Sequence, residues 1–488
     1  MKTRSVMRTA ALCGVMCAAA LAQEAAAQGV ANPLTVYGLD RFVAPDARMR
    51  AMGWAGVGAA SGAGALFANP ALLTGLEAPD IRFGGVTTST DRDQKQEWYP
   101  DKAYATLSLI FENRMSGIVD TATKPLERSY DNIGPNWEKN ASSVRPLSVV
   151  GAMPIDLGFA NIVVGAGFSE AVNLDHYFQN NNALSPYIGS YRPEPMLRPA
   201  LGETIKVAWY QHFRERTGSI YGITPGAAVK LGEHVSLGVS ATLLTGSSDD
   251  EERSVGRGRL RLTTSATGSF NVYYIDSVRY LATTAGTSTY AGVLGHLGAA
   301  FRNSNFAFGV SLQLPSTVTR TWNSSTTIDT MGVTSASDQS GGDKLRYPLS
   351  YAVGFAFYPR GGWTVGVDYV VNRFEQAEYT PAGGTGIKPW LGAKTFRVGT
   401  EYAVNDAMRL RAGYREDAQV FAGEGAAITD DPVRGSVFSA GTGLRLWILD
   451  VNLAYEYSTL SYHDAWTSNV NFNTSASHAV TIEIGMQL

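Results

Sequence analysis

Apolar and polar residues alternate along many stretches of this chain. The stretch from Val451 to Tyr457 has a large apolar side chain at every second position, and the closing stretch from Val480 to Leu488 does the same. Successive side chains of a β-strand point to opposite faces, so this period predicts strands with one apolar face and one small or polar face. The other stretches with this pattern are Val235 to Leu243, Phe306 to Leu314, Tyr351 to Phe357, Trp363 to Tyr369, Phe396 to Tyr402 and Met408 to Tyr414.

The connections between the predicted strands alternate between short and long. The six short turns are expected near Pro154 to Leu157, Leu231 to His234, Asn303 to Asn305, Pro359 to Gly362, Asn405 to Ala407 and Leu449-Asp450. Six turns join twelve strands, and an opening strand near Ile81 to Thr90 and a closing strand ending at Leu488 bring the total to about fourteen. Strands of about ten residues cross a bilayer when tilted, and short turns on one side with long loops on the other are typical of bacterial outer-membrane barrels.

The sequence therefore predicts an all-β fold, a transmembrane antiparallel barrel of about 14 strands over residues 80–488, in a Gram-negative outer membrane. One region fits less simply. The alternating stretch Thr204 to Phe213 agrees with the up-and-down order only if it is bulged or continuous with Tyr221 to Lys230.

The first 27 residues are expected to form a cleaved signal peptide. Lys2, Arg4 and Arg8 precede an apolar run, and Ala25 to Ala27 offer a small-residue cleavage site before Gln28. Both cysteines of the chain lie in this segment, so disulfides and thiol chemistry are not expected in the mature protein. Without the segment the formal charge changes from −3 to −5, which is not the charge of a nucleic-acid-binding protein.

Residues 28–79 differ in character from the predicted barrel. The run from Ala51 to Leu76 carries no charge, is rich in glycine and shows no alternation, and its glycines and its proline disfavour a membrane-spanning helix. Two interpretations remain open, an N-terminal hatch in the lumen or a disordered periplasmic tail. As hatch residues we select Gly53, Gly56 and Gly58, as close contacts or hinges, and Asn69, Pro70 and Ala71, around a bend fixed by proline.

The polar face of the strands carries charged residues that would point into the lumen. Centring the hairpin on Asp406 places Glu401 opposite Arg411, as a cross-strand ion pair. The charged residues expected to face the lumen are Arg397, Glu401, Arg409, Arg411, Arg415, Arg445 and Glu456.

The segments Arg50-Ala51-Met52-Gly53-Trp54-Ala55-Gly56-Val57-Gly58 and Ala65-Leu66-Phe67-Ala68-Asn69-Pro70-Ala71-Leu72-Leu73 resemble the N-terminal signature of the FadL-type outer-membrane transporters of hydrophobic compounds. PorV-like barrels share this signature. The resemblance implies a fourteen-stranded barrel with an N-terminal hatch and uptake of long-chain fatty acids or other apolar molecules. It leaves open a second function, a PorV-like barrel that does not transport and serves a secretion or surface-assembly partner.

The expected partners are hydrophobic small molecules or fatty acids, outer-membrane lipids, and the barrel assembly machinery during biogenesis. The stretch Tyr177 to Pro199 mixes apolar and polar residues as a ligand-access loop would, and its candidate contacts are Tyr177, Phe178, Leu184, Tyr187, Ile188 and Tyr191. Zinc-protease, nucleophile-elbow and phosphate-loop motifs do not occur in the mature sequence, so no catalytic residue, metal or cofactor is predicted. The acidic run Asp249 to Glu252 is expected at a solvated loop tip, with calcium binding at the cell surface as the less favoured alternative.

Overall fold

The computed structural model of the chain describes residues 36, 38–98, 136–158, 161–181, 201, 204–275, 280–330, 332–359, 361–423, 432–466 and 469–488. The predicted signal peptide lies outside these residues. The short helices are α1 (Ala47–Ala51) and α2 (Ala65–Ala68), with 3-10 turns at Pro70–Gly75 and Phe374–Gln376.

The strands form one antiparallel sheet that closes on itself. They are β1 (Asp80–Trp98), β2 (Trp137–Asp156), β3 (Asn161–Asn173), β4 (His176–Asn181), β5 (Thr204–Leu231), β6 (Val235–Thr264), β7 (Phe270–Ile275), β8 (Tyr280–Arg302), β9 (Phe306–Gln313), β10 (Ser316–Thr330), β11 (Val333–Tyr347), β12 (Ser350–Phe357), β13 (Trp363–Asn372), β14 (Glu378–Thr380), β15 (Ala393–Ala403), β16 (Met408–Ala418), β17 (Arg434–Leu446), β18 (Leu449–Trp466) and β19 (Asn469–Gln487).

Fourteen strands make the wall of this barrel. The pairs β3/β4, β7/β8, β9/β10, β11/β12 and β13/β14 are each consecutive pieces of one interrupted wall strand, which reduces nineteen segments to fourteen. The opening strand β1 pairs with both β2 and the closing strand β19, so the sheet has no free edge there. The predicted fourteen-stranded antiparallel barrel is confirmed.

The short turns lie close to their predicted positions, with two shifts. The first turn was expected at Pro154 to Leu157, but β2 continues to Asp156 and β3 begins at Asn161, so the turn comes later in the chain. The last turn was expected at Leu449-Asp450, but β17 continues to Leu446 and β18 begins at Leu449, so the turn is made by Trp447 and Ile448. Trp447 has a positive φ of 60°. Bulky residues rarely adopt this backbone conformation, so the residue type does not indicate a turn here. The uncertain stretch from Thr204 is continuous with the following strand, because β5 runs without a break to Leu231.

Several strands extend far beyond the length that a bilayer requires. β5 and β6 have 28 and 30 residues, whereas β15 and β16 have 11 each, so one side of the barrel forms a tall outer wall. Two expectations are corrected by this wall. The acidic run from Asp249 lies within β6 rather than at a loop tip, and Tyr177 and Phe178 belong to strand β4 rather than to a loop.

A buried ionic network explains why the acidic run is a strand. Asp250 points inward and accepts hydrogen bonds from Arg216 at 2.6 Å and from Arg320 at 3.2 Å, and Arg320 also binds Asp343 at 2.6 Å. The adjacent Glu251 points to the opposite face, where it pairs with Arg253. Both faces of this wall are polar, so the alternation that marks a membrane strand is missing from its sequence.

The substitution Asp250→Ala should destabilise the outer wall strongly. It would remove the carboxylate that binds the fully buried Arg216, and breaking a buried pair costs about 3–5 kcal/mol. Hydrogen–deuterium exchange of the outer halves of β5 and β6 should accelerate. Glu251→Ala is the matched control, because its half-exposed pair with Arg253 contributes only about 0–1 kcal/mol. Equal protection from exchange in the Asp250→Ala and Glu251→Ala variants would show that the buried network around Asp250 does not stabilise the outer wall.

The outward face of the wall is apolar near the short turns. Residues such as Phe83, Leu237, Phe355 and Ile482 are 40–60% exposed there, on strands spread around the barrel. Such a belt on a closed barrel is the surface of an outer-membrane protein in contact with lipid. Among the described residues, no helix is both long and apolar enough to span a membrane.

Candidate ligand cavity

Residues 38–76, called the inner segment, lie against the inward face of the wall. Ten neighbouring wall strands, the third to the twelfth, each present one glycine to this segment, so close that a Cβ at most of these positions would collide with it. The glycines are Gly167, Gly226, Gly238, Gly298, Gly309, Gly354, Gly366, Gly399, Gly413 and Gly441. This glycine ring lets the backbone of the inner segment approach the backbone of the wall around most of the lumen.

Three wall carboxylates hold the backbone of the inner segment. Asp368 accepts hydrogen bonds from the amides of Gly56 at 2.7 Å and Val57 at 2.8 Å. Glu483 accepts one from Ala47 at the start of α1, and Asp80 accepts one from Ala63 at 2.7 Å. Such charge-assisted bonds, made in a buried setting, fix the position of the inner segment relative to the strands.

Ion pairs add a second set of contacts between the inner segment and the wall. Arg48 on α1 binds Glu401 at 2.9 Å, and the same carboxylate binds Arg411 at 2.6 Å, so the predicted cross-strand pair is present and gains a third member.

A second triad also includes an arginine of α1. Arg50 binds Glu456 at 3.2 Å, and Arg415 binds the same carboxylate at 2.6 Å. The indole of Trp54 donates to Glu456 and lies 4.0 Å from the Arg415 guanidinium. Each of the two wall carboxylates, Glu401 and Glu456, thus binds one arginine of the wall and one arginine of the inner segment.

The interior is layered along the barrel axis, as one strand shows. Starting at the short-turn end of β8, Arg302 lies beside a polar pocket and Gly298 belongs to the glycine ring. Leu294 lines a central cavity, Tyr290 belongs to an apolar cluster, and Ser288 joins the ionic network of the outer wall.

The central cavity has a volume of about 210 Å³ and lies between the inner segment and the wall. The inner segment supplies its floor, with Met49, Trp54, Val57 and Phe67. The apolar part of its wall is Ala171, Leu294, Ala352 and Val370. Its polar lining comprises Ser169, Thr224, Thr242, His296, Ser311, Gln313, Ser350, Asn372 and Arg397.

An apolar cluster separates this cavity from the outer end of the barrel. Its aromatic centre contains Tyr347, Phe374 and Trp390, with ring centroids 5.4–6.5 Å apart. Val36 and Leu39 from the start of the described chain pack into it, and the Tyr347 hydroxyl donates to the Leu39 carbonyl at 2.6 Å. The cavity is therefore covered on its outer side by buried apolar side chains.

The predicted hatch residues all lie in the inner segment. Gly53 has φ of 60° and approaches Tyr414 and Val398, while Gly58 lies against Gly354. Asn69 is fully buried and donates to the carbonyl of Val57 at 2.9 Å. Pro70 opens a 3-10 turn after the extended Asn69, so the predicted fixed bend is present, and Ala71 lies against Gly238.

The predicted lumen charges fall into three places. Glu401, Arg411, Arg415 and Glu456 belong to the two triads, and Arg397 lines the central cavity. Arg409 lines the polar pocket near the short turns, and Arg445 is half-exposed at the rim, 3.8 Å from Asp450.

The predicted ligand-access residues are not brought to the cavity. Tyr177 packs edge-on against Trp137 and Phe213 in the tall wall, and Phe178 is buried on the opposite face of β4. Leu184, Tyr187, Ile188 and Tyr191 lie outside the described residues. Sequence reasoning missed the cavity residues Phe67, Leu294 and Ala352, whose positions in the chain carry no signal of their proximity.

Comparison with known structures gives a consistent result at the level of fold, although no family profile and no curated protein matches the sequence. The chain is similar to a Pseudomonas aeruginosa FadL homologue, with a TM-score of 0.56 and 11% identity over 91% of this chain and 98% of that one. It is also similar to the Pseudomonas putida toluene transporter TodX, with a TM-score of 0.54 and 14% identity over 93% of this chain and 100% of that one.

A third structure, the CymD monoaromatic hydrocarbon channel, aligns with a TM-score of 0.54 and 13% identity over 93% of this chain and 99% of that one. At identities of 11–14%, these similarities establish the fold of the chain. The resemblance first seen in the glycine-rich N-terminal signature extends to the whole barrel, and the chain has the fold of the FadL-type outer-membrane channels.

Proposed function

We propose that this protein is an outer-membrane channel for the uptake of hydrophobic compounds, with the inner segment acting as its hatch. The observation that carries the proposal is the central cavity, which has the inner segment as its floor and the buried apolar cluster on its outer side. An apolar solute gains free energy when it leaves water for such a site. A permanently open pore would need neither the floor nor the apolar cluster.

The size of the cavity favours a compact ligand. An apolar cavity of roughly 150 Å³ holds one benzene molecule, and pockets for larger, drug-sized ligands start at roughly 300 Å³. The 210 Å³ found here therefore accommodates a single aromatic ring. Two of the similar structures are described as a toluene transporter and a monoaromatic hydrocarbon channel, which agrees with this size.

Long-chain fatty acids remain a candidate ligand because of Arg397. Its guanidinium lies 5.5 Å from the Trp54 ring, and its Nε has no hydrogen-bond partner within the described residues. A carboxylate in the cavity would satisfy this cation. The acyl chain would then have to displace part of the apolar cluster, and burying it at about 0.8 kcal/mol per methylene supplies the driving force.

We infer no enzymatic activity. Within the described residues, the contact that comes nearest to a catalytic pair is that of Ser254 with Nδ1 of His212 at 3.1 Å. Nε2 of His212 is buried with no hydrogen-bond partner in the described part of the chain, so no carboxylate orients the ring as a catalytic triad requires. Outer-membrane lipids around the apolar belt and the assembly machinery that inserts the barrel complete the proposed partners.

The test is displacement of an environment-sensitive fluorescent probe from the purified barrel by toluene and by palmitate. We expect saturable displacement by at least one of them, and slower uptake of that compound by a deletion strain. Displacement by toluene alone would indicate that the ligand is a compact aromatic compound. Displacement by palmitate alone would indicate a long-chain fatty acid.

Weak and non-saturable binding of both compounds, together with normal uptake, would reject the transport proposal. The PorV-like alternative would then predict a defect in secreted or surface-assembled proteins in the same strain. That defect is a separate measurement from uptake, so the two functions can be told apart.

A further inference from the structure

A second cavity lies on the other side of the glycine ring, at the short-turn end of the barrel. It measures about 270 Å³ and is lined by residues next to the turns, including Arg302, Thr364 and Asp450. The inner segment contributes Arg48 and the residues from Ala59 to Ser61, and the wall contributes the rest. Because short turns face the periplasm in outer-membrane barrels, this cavity is accessible from that side.

Five arginines line this cavity, and we call it the arginine pocket. They are Arg48, Arg82, Arg302, Arg409 and Arg411, whereas its lining contains only two carboxylates, Glu401 and Asp450. Arginine guanidinium groups stay charged at all physiological pH values and present several N–H donors in a planar fork.

The carboxylates around the arginine pocket leave two of its arginines without an ion pair in the described part of the chain. Arg82 is matched by Asp80 at 2.8 Å and Glu483 at 3.2 Å, and it lies 4.0 Å from Asp46. Glu401 is shared between Arg48 and Arg411, so one carboxylate serves two guanidinium groups. Asp450 lines the pocket and lies 3.8 Å from Arg445, which is outside the pocket on the rim.

Arg302 and Arg409 have no ion-pair partner within the described residues. The Arg302 guanidinium lies 5.3 Å from the ring centroid of Tyr358, a contact that leaves its N–H groups available. Arg409 projects into the same cavity from the start of β16, in line with Arg411. Two free guanidinium groups and one half-neutralised pair thus converge on a space large enough for a small polar molecule.

We propose that the arginine pocket binds a compact oxyanion, a carboxylate or a phosphate group, from the periplasmic side. The anion bridges the inner segment and the wall, because Arg48 belongs to the first and Arg302 and Arg409 belong to the second. Its binding stabilises the docked inner segment by mass action, since the pocket is complete only when that segment is in place.

The experiment uses the mature full-length barrel in a neutral detergent. Inorganic phosphate and, in a parallel arm, sodium acetate are titrated against it by calorimetry at constant ionic strength, with chloride as the balancing ion. We expect saturable binding of at least one anion, and the arm that binds distinguishes a phosphate ligand from a carboxylate ligand. Loss of several charged hydrogen bonds should weaken binding by roughly tenfold or more in the Arg302→Gln/Arg409→Gln variant.

Lys230→Gln is the matched control, because Lys230 is an exposed cation next to a short turn at the same end of the barrel, does not line the pocket and should leave the affinity unchanged. Heat-modifiable migration in gels checks that each variant is folded. Absence of saturable binding of both anions to the unaltered barrel would overturn the proposal, and so would equal affinity in the double variant. Displacement of the hydrophobic probe from the central cavity should be the same in all three proteins, so failure here is independent of the proposed transport function.

Discussion

Deleting residues 28–78 should raise the single-channel conductance of the barrel steeply in planar bilayers. The inner segment contacts wall strands around most of the lumen at the level of the glycine ring, and its removal would leave a water-filled passage there. The wall does not depend on the segment for its hydrogen-bonded ladder, since the closing pair is formed by β1 and β19. The truncated barrel should therefore still fold.

A point substitution should reproduce part of this effect. A leucine at Gly399 would occupy the space of the Met52 backbone, and overpacking of this kind costs about 1–3 kcal/mol or more. We expect Gly399→Leu to give intermittent openings. Gly151→Leu on β2 is the control, because a side chain there meets Ile81 of the wall at ordinary contact distance and does not touch the inner segment.

Unchanged conductance in a folded deletion barrel would show that the inner segment is not the barrier. It would also withdraw the hatch from the proposed function. The ion pairs of Arg48 and Arg50 with the wall would then have a purely structural role.

The second large effect is expected from filling the central cavity. In Ala352→Trp, an indole would occupy much of the 210 Å³ that the proposed ligand needs. Affinity for the displacing hydrophobic compound should fall at least tenfold, which corresponds to about 1.4 kcal/mol. The measurement is the same probe displacement that tests the function.

Val353→Trp provides the matched control for this substitution. Val353 is the next residue on β12 and points to the opposite face of the wall. It should leave the affinity close to that of the unaltered protein, with both variants folded by heat-modifiable migration. Normal binding in folded Ala352→Trp would place the ligand elsewhere.

The sequence by itself determined the wall of this barrel. Alternation with period two is a local property, so it assigned strands such as β12, β13 and β19 and the face of each residue. Short turns fixed the register of neighbouring strands, which is why Glu401 and Arg411 could be paired from the hairpin alone. The charge-free, glycine-rich N-terminal run was distinct because it lacks this pattern.

Local patterns failed where both faces of a strand meet the same environment. The tall outer wall is polar inside and outside, so Asp249 to Glu252 looked like a loop until Asp250 was found between Arg216 and Arg320. For the same reason β4 was not predicted, because Tyr177 and Phe178 are both apolar and lie on opposite faces of this strand. When the two faces of a strand do not differ in polarity, its sequence shows no alternation with period two.

Only the tertiary structure decided how the lumen is filled. The glycine ring has a sequence signature, one inward glycine on each of ten strands, but glycine shows no preference for a face and the contact it allows is invisible until the chain closes. The central cavity joins Phe67, Leu294 and Ala352, and the arginine pocket joins Arg48, Arg302 and Arg409, across hundreds of residues. These sites depend on barrel closure and on the docking of the inner segment, which are long-range events that no local period encodes.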